Sequence, residues 1–366
     1  MESMSKFLAK DGFAVDIFVD RYMYENVGIE FNDENIRVIS VNMCLKRGRG
    51  ILSKRILNFS LGGALDALWS KITYLKNFLP LKYSSHIKDY KPFKERLLYS
   101  QKYFFPKTYK LTKYLNKYIN NDYICLIAVE PKSLISATAI SIDKHIPVIY
   151  DNMELLLQNE CRTDIEKITK KLERECNSRC VFTIIQDKNR AEYLIKDNNL
   201  DPQKIRLLSV SSDQEIYRKR GDYLQKKLNI LKDKNIILYV GNISSPSMIL
   251  EIAESALKWS DDFVLVLHGW NKMSPRDRYA GKIKELADNK RIYLSHDFLD
   301  FRELPELISS AKIGLLFYRN LSPNYYEVGS AANKLVQYLR MGLPVVSIDF
   351  PSLKEKIEKN NCGICV

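Results

Sequence analysis

The chain has 366 residues, 46% hydrophobic and 28% charged, with 57 Lys+Arg against 44 Asp+Glu and a formal net charge of +13. That length fits two domains, each able to bury its own core, and the composition excludes collagenous, disulfide-stapled and wholly disordered chains. No apolar run approaches the roughly 20 residues that cross a bilayer and no signal peptide is legible; seven irregularly spaced cysteines point to a reducing compartment.

The first elements are a helical pattern, MSKFLAKDG, then two strand patterns, AVDIFVD and IRVISVN. A basic segment comes next. Residues 44–120 carry 17 Lys+Arg against Asp66, Asp89 and Glu95, a net of +14, so the rest of the chain is close to neutral. Leu57, Leu61, Leu65, Leu68, Ile72, Leu75 and Leu79 make one apolar stripe at steps of three and four residues, flanked by Lys54, Arg55, Lys71 and Lys76. A second amphipathic stretch begins at Lys107. It places Leu111, Tyr114, Leu115, Tyr118 and Ile119 on one side and Lys110, Lys113 and Lys117 on the other. Basic amphipathic helices with interleaved aromatics suit an anionic membrane surface. They equally suit a cover over a sheet, with Lys on the wet side. Nucleic-acid binding through the same residues would show steep salt dependence; no nucleic-acid partner is expected.

From Tyr123 the strand–helix alternation is regular: YICLIAV, SLISATAISIDK, PVIYD, a charged helix over 164–176, FTIIQ, KNRAEYLIKD and IRLLSV. Asp151, at the end of PVIYD, reads as a cap for the next helix. The polar, charged residues 211–234 read as the linker between domains. NIILYVGN then opens the second half, with Gly241 and Asn242 at its strand end, and FVLVLHGW is the next strand, with Gly269 at its carboxyl end. Two cysteine pairs give no zinc site: CNSRC is one residue too long for the usual spacing and CGIC reads as a strand. No metal is expected.

The most informative stretch is 313–349, IGLLFYRNLSPNYYEVGSAANKLVQYLRMGLPVVSID. A short buried strand, a polar loop, a helix through Leu335, Val336 and Leu339, a Gly342 stop and the strand PVVSI make a βαβ unit. Its loop falls at the carboxyl end of a parallel strand, where open α/β sheets bind ligands. The helix approach, Gly329-Ser330-Ala331-Ala332-Asn333-Lys334, is small enough to admit a phosphate, and free N–H groups at a helix start attract anions. The alternative is a helix capped by Ser330 with Lys334 solvated, which is commoner for an isolated motif.

NKLVQYLRMGLPVVS resembles the signature helix of GT-B glycosyltransferases of the family 4 type. The resemblance implies two Rossmann-like domains facing a cleft, with a basic helical insertion in the first. It places an acceptor-binding domain at 1–215 and a nucleotide-sugar domain at 235–366. It also implies a strand before the first helix and a further helix after the last strand, neither of which this sequence shows. The helix start at Ser330, Asn333 and Lys334 is expected to hold a donor diphosphate, with no metal and no cofactor beyond the donor. Gln337 stands where the family has a ribose-binding Glu. Gly329 stands where it has an earlier Glu, which leaves Glu327 as the nearest carboxylate for a sugar hydroxyl. Lys334 and Glu327 are thus the candidate catalytic residues. His296, Asp297 and Phe298 are placed near the nucleobase, and Asp151 and Glu154 of YDNMEL on the acceptor side. The family cation after the first strand of the second domain is missing from NISSPSMILE.

The expected function is sugar transfer, with retention of configuration, from a nucleotide-diphosphate donor to a glycan or lipid-linked acceptor in bacterial surface polysaccharide synthesis. The expected place is cytoplasmic, at the inner face of the membrane. The alternative, favoured by Gln337 and the missing loop cation, is a non-catalytic scaffold that binds lipid or a partner enzyme. No D-x-D and no G-x-G-x-x-G triplet occurs, which counts against a metal-bound diphosphate and against a dehydrogenase.

Overall fold

Among the described residues the strands form three parallel sheets. The computed structural model describes residues 2–20, 33–41, 93–120, 122–212, 215–217, 219–269, 278–287, 291–296, 299 and 303–366. The first amphipathic stripe of the basic segment, and Asp297 and Phe298, lie outside the described residues.

Helix α1 (Glu2–Lys10) precedes β1 (Val15–Asp20) and β2 (Ile36–Val41), which pair in parallel. The next described elements are α2 (Phe93–Phe104) and α3 (Pro106–Tyr118), each with one buried side. The second sheet runs β3 (Leu126–Val129), β4 (Val148–Asp151), β5 (Phe182–Ile185), β6 (Ile205–Leu207), all parallel and in chain order. Its crossovers hold α4 (Glu130–Lys144), α5 (Asp164–Asn177) and α6 (Lys188–Asn198). Caps define two of them: Thr163 and Glu166 form a capping box on α5, and Asp187 accepts from the Arg190 N–H on α6.

Within the second amphipathic stretch, Leu115 and Ile119 are buried and pack with Ile140 and Ile146, as a helix covering a sheet should. Tyr114 and Tyr118 do not share that side. They are 42% and 41% exposed and their rings stack 6.1 Å apart, on the surface that also exposes Lys113 and Lys117. The buried side of α3 is narrow because Thr112, donating to the Thr108 carbonyl and to Ser136, occupies part of it. The aromatic rings are left outside.

The described residues of the expected linker, with Val210 just before it, are docked on the second half. Val210 N–H donates to the Ser330 carbonyl, Tyr217 N–H to the Arg340 carbonyl, and Arg220 to the Ala311 carbonyl. Within this segment α7 (Tyr223–Leu228) buries Leu224 completely. The charges mask enough apolar side chains, including Tyr217, Tyr223, Leu228 and Ile230, to join the adjacent core.

The last sheet contains β7 (Asn235–Val240), β8 (Phe263–His268), β9 (Ile292–Ser295), β10 (Ile313–Leu316), β11 (Val345–Ser347) and β12 (Gly363–Cys365), spatially ordered β12-β11-β10-β7-β8-β9. In order of appearance that is 3-2-1-4-5-6, the doubly wound arrangement, with its switch point between β7 and β10. Helices α8 (Ile249–Ala256), α9 (Arg278–Ala287), α10 (Leu304–Ser309), α11 (Pro323–Tyr326), α12 (Asn333–Arg340) and α13 (Pro351–Ile357) complete it. The two-residue period of β7 sends Ile236 and Leu238 to a core shared with Leu335 and Tyr338, and Ile237 and Tyr239 to one shared with Ile249 and Ala253. Both faces are covered, which is why its strands read as continuous apolar runs. Gly314 lets α12 approach: a Cβ there would stand 2.5 Å from the Tyr338 ring.

Candidate functional site

The switch point is built from the ends of β7 and β10 and the start of α12. Gly241 leaves β7 at φ +142°, a conformation open to glycine, and its amide donates to the His268 carbonyl. A Cβ at Gly241 would lie 2.3 Å from Cε of Lys334, and one at Gly269 would lie 2.0 Å from the Gly241 carbonyl oxygen. Both glycines are therefore steric requirements of one close approach. Asn242 is exposed, and its carbonyl accepts the Tyr239 hydroxyl at 2.8 Å.

Lys334 crosses this gap. Its Nζ donates to the Tyr318 hydroxyl at 3.1 Å and stands 5.1 Å from the ring centre of Tyr239 and 4.9 Å from that of Tyr318. Among the described residues no carboxylate pairs with it. Burial pushes its pKa down to about 8. The ammonium is held by two ring faces and a hydroxyl, which hold a cation more weakly than a carboxylate. It is not merely solvated.

Ser330 does not cap α12. The N-cap is Ala332, with no side-chain bond, because the chain turns through Ala331 and Ala332 N–H bonds to the Val328 carbonyl. Ser330 is buried and its carbonyl is taken by Val210. The first N–H groups of α12, from Asn333 to Leu335, meet no acceptor among the described residues, so that end of the helix keeps its affinity for an anion. Asn333 is exposed beside them and Gln337 is buried one turn on. A cation also approaches the loop after β7 from the other strand. Arg319, just beyond β10, donates to the Ser245 carbonyl and is ion-paired with Glu251.

Glu327 is tied to the first half: its Oε2 accepts from Asn189 of α6 at 2.9 Å. Beside it Arg190, 1% exposed, donates to the carbonyls of Asn324 (3.1 Å) and Met153 (2.9 Å) and to Asn324 Oδ1 (2.7 Å). Asn324 Nδ2 donates to Glu154 Oε2 at 2.7 Å, and Asn324 Oδ1 accepts from Leu155 N–H at 2.8 Å. This polar seam joins the loop after β4 to the loop after β10. It brings the acceptor-side candidate Glu154 to the edge of the Lys334 site; the Glu154 charge helps raise the Tyr318 pKa, whose main cause is burial.

Asp151 caps no helix. It is 7% exposed at the carboxyl end of β4, its carboxylate makes no hydrogen bond with a described residue, and burial raises its pKa. His296 is exposed, its Nδ1 3.3 Å from the Gly269 carbonyl oxygen. Cys176 and Cys180 are core residues whose thiols burial pushes up to about 12. Among the described residues no His, Cys, Asp or Glu group could hold a metal ion, and no helix is long and apolar enough to cross a membrane.

The structure thus gathers Gly241, Gly269, Asn333 and Lys334 at one point and Asp151, Glu154 and Glu327 near the seam. Sequence reasoning missed Tyr239, Tyr318, Arg319, Arg190 and Asn324. The two tyrosines had a local signal, each sitting at a strand end just before a cleft loop. Arg190 and Asn324 had none, being ordinary residues of a charged helix and a polar loop.

Parallel sheets, the last of them doubly wound, with loops at their carboxyl ends joined by a polar seam, are the arrangement of the GT-B fold. Residues 234–366 match the family described as Glycosyl transferases group 1. It is similar, at 20% identity over 299 residues, to the chitobiosyldiphosphodolichol beta-mannosyltransferase of Debaryomyces hansenii, covering 73% of this chain. The chain spans 61% of that relative's length. Among solved structures, sucrose-phosphate synthase from Thermosynechococcus elongatus superposes at a TM-score of 0.64 and 15% identity, covering 100% of this chain and 78% of that one. Anabaena Alr3699/HepE in complex with UDP superposes at 0.55 and 12% identity, covering 71% and 68%. These likenesses establish the fold.

Proposed function

We propose that this protein is a glycosyltransferase whose second half, 235–366, binds a nucleotide-diphosphate sugar and whose first half, 1–215, presents a glycan or lipid-linked acceptor. The observation that carries the reading is Lys334: an ammonium without a carboxylate, at the free amino end of α12, over a glycine gap at the switch point. As the sugar leaves, negative charge grows on the diphosphate, and preorganised donors at that place stabilise it without a metal ion. Burial disfavours a lone ammonium here, and a bound diphosphate would offset that. Gln337 is assigned to the ribose and the base to the side of His296, Asp297 and Phe298. Glu327 Oε1 is assigned to a donor-sugar hydroxyl while Asn189 holds Oε2.

The family 4 resemblance adds retention of configuration and a role in bacterial surface polysaccharide. A lipid-linked acceptor is supported by the name of the Debaryomyces relative and by the exposed Lys–Tyr surface of α3, which would place the enzyme at the inner face of the membrane.

Titration calorimetry with UDP and GDP in EDTA tests the site, followed by transfer assays with the corresponding sugars. One of the two diphosphates should bind, and Lys334→Ala should lose that binding. A non-catalytic scaffold predicts no heat from either. Unchanged binding and transfer in Lys334→Ala would remove the assignment.

A further inference from the structure

Tyr318 stands just beyond β10, and its hydroxyl oxygen accepts from Lys334 Nζ at 3.1 Å. A phenol can also donate, and among the described residues no acceptor takes the Tyr318 O–H. The neighbouring phenol differs: the Tyr239 hydroxyl is committed to the Asn242 carbonyl at 2.8 Å. The Tyr318 ring is held in place. It packs against Tyr325, with ring centres 5.9 Å apart, and against the core that contains Leu335 and Tyr338. Tyr325 lies in α11 next to Asn324, which Arg190 and Glu154 hold from the first half. The open O–H is therefore carried on a fixed ring at the switch point.

A shortage of cations is the second observation. The loop after β7, NISSPSMILE, carries none. Arg319 is taken up by Glu251 and the Ser245 carbonyl. An incoming diphosphate thus meets Lys334 with neutral donors beside it, namely the first amides of α12 and the Tyr318 hydroxyl. A hydroxyl that accepts from an ammonium is polarised and donates more strongly. Nζ and the hydroxyl oxygen are 3.1 Å apart, a spacing that two oxygens of one phosphate group can bridge.

We infer that the Tyr318 hydroxyl donates a hydrogen bond to the donor diphosphate beside Lys334, making Tyr318 a further residue of the leaving-group site. The inference rests on the glycosyltransferase reading, because it takes the ligand to be a nucleoside diphosphate. As the sugar departs, the growing charge on the phosphate oxygen strengthens a bond already in place. Burial holds the Tyr318 pKa well above the ordinary phenol value, with smaller contributions from Tyr239 of β7, Glu154 of the loop after β4 and Tyr325 of α11. The phenol keeps its proton at pH values where Lys334, pushed down to about 8 by burial, has lost its own.

Titration calorimetry of the full chain with UDP and GDP in EDTA tests it, on wild type and Tyr318→Phe, at about pH 6.5 and about pH 9, on either side of the Lys334 pKa. The substitution keeps the ring with its Lys334 and Tyr325 contacts and removes the hydroxyl alone. At the lower pH Lys334 is charged, so a loss there reports the hydroxyl as a ligand. Affinity for whichever diphosphate binds should fall about tenfold at that pH, the low end for a hydrogen bond to a charged group. The melting temperature of the unliganded protein should stay close to that of the wild type. Equal affinities at the lower pH, or a loss confined to the higher one, would mean that Tyr318 acts only on the Lys334 proton and would overturn the inference. A lowered melting temperature with unchanged affinity would overturn it too, leaving the hydroxyl a structural role. If the wild type binds neither UDP nor GDP, the glycosyltransferase reading itself fails, and this inference with it.

Discussion

Lys334 Nζ and the Tyr318 hydroxyl, 3.1 Å apart, tie the first turn of α12 to the loop that leaves β10. The contact positions a cation at the switch point without neutralising it.

That has a pH consequence. The Lys334 pKa is pushed down to about 8 from an ordinary 10.5 by burial, so the unliganded site loses its charge as pH rises through about 8. Nucleoside diphosphate affinity should decline above that pH in calorimetric titrations, and the decline should vanish in Lys334→Arg. The linkage to stability has the opposite sign. Between about 8 and 10.5 the unfolded chain binds this proton and the folded chain does not, so the Lys334 contribution to stability rises with pH there.

Gly241→Ala tests the close approach. Its Cβ would overlap the Lys334 side chain at 2.3 Å on a backbone with φ +142°. We expect a stability loss of about 1–3 kcal/mol in thermal melts. Diphosphate affinity should fall as in Lys334→Ala, because the ammonium must move.

Arg190 and Asn324 meet from opposite halves of the molecule, 134 residues apart in sequence. Arg190→Met and Asn324→Ala should each destabilise, and a double-mutant cycle should show a coupling of about 0.5–3 kcal/mol because the two share one hydrogen-bond network. Additive effects in denaturant titrations would mean that the seam does not act as a unit.

A buried ion cluster lies behind β4. Lys170 Nζ reaches Glu173 at 3.1 Å and Asp197 at 2.9 Å, and Glu173 also accepts from Tyr150 at 3.1 Å. Lys170→Met would leave Glu173 buried without its cation and should cost about 3–5 kcal/mol by urea unfolding. Nucleotide affinity, which depends on the other half, should be unaffected.

The α3 surface predicts selective lipid binding. Exposed Lys113 and Lys117 contribute about 1 kcal/mol each near an anionic bilayer, with Tyr114 and Tyr118 at its interface. Replacing both lysines by Glu should reduce co-sedimentation with phosphatidylglycerol vesicles at least tenfold and leave thermal stability nearly unchanged. Equal sedimentation would assign that surface to solvent alone.

Much of the architecture was legible in the sequence because its cause is local. Continuous apolar runs such as IGLLFY and FVLVLHGW, spaced by helical periods and glycines, specify a doubly wound sheet, and Gly342 at φ +67° stops α12 as its position implies. The position of the α12 helix start, just after the Gly329–Ala332 turn, was legible for the same reason. The faces of α3 were not, because Tyr and Leu share a helical period and only burial against α4 separates them. Nor was the docking of residues 211–234, whose apolar side chains are too sparse to stand out among charges.

By itself, then, the order of residues determined the strands, the helices and the glycine gap, which arise from steric rules acting over a few positions. The folded chain decided which side chains meet: Lys334 with two tyrosines, Glu327 with Asn189, and Glu130 with the amides after β4. Those partners lie from about 16 to 138 residues apart in sequence. Packing of whole elements, not any local preference, sets the distances between them.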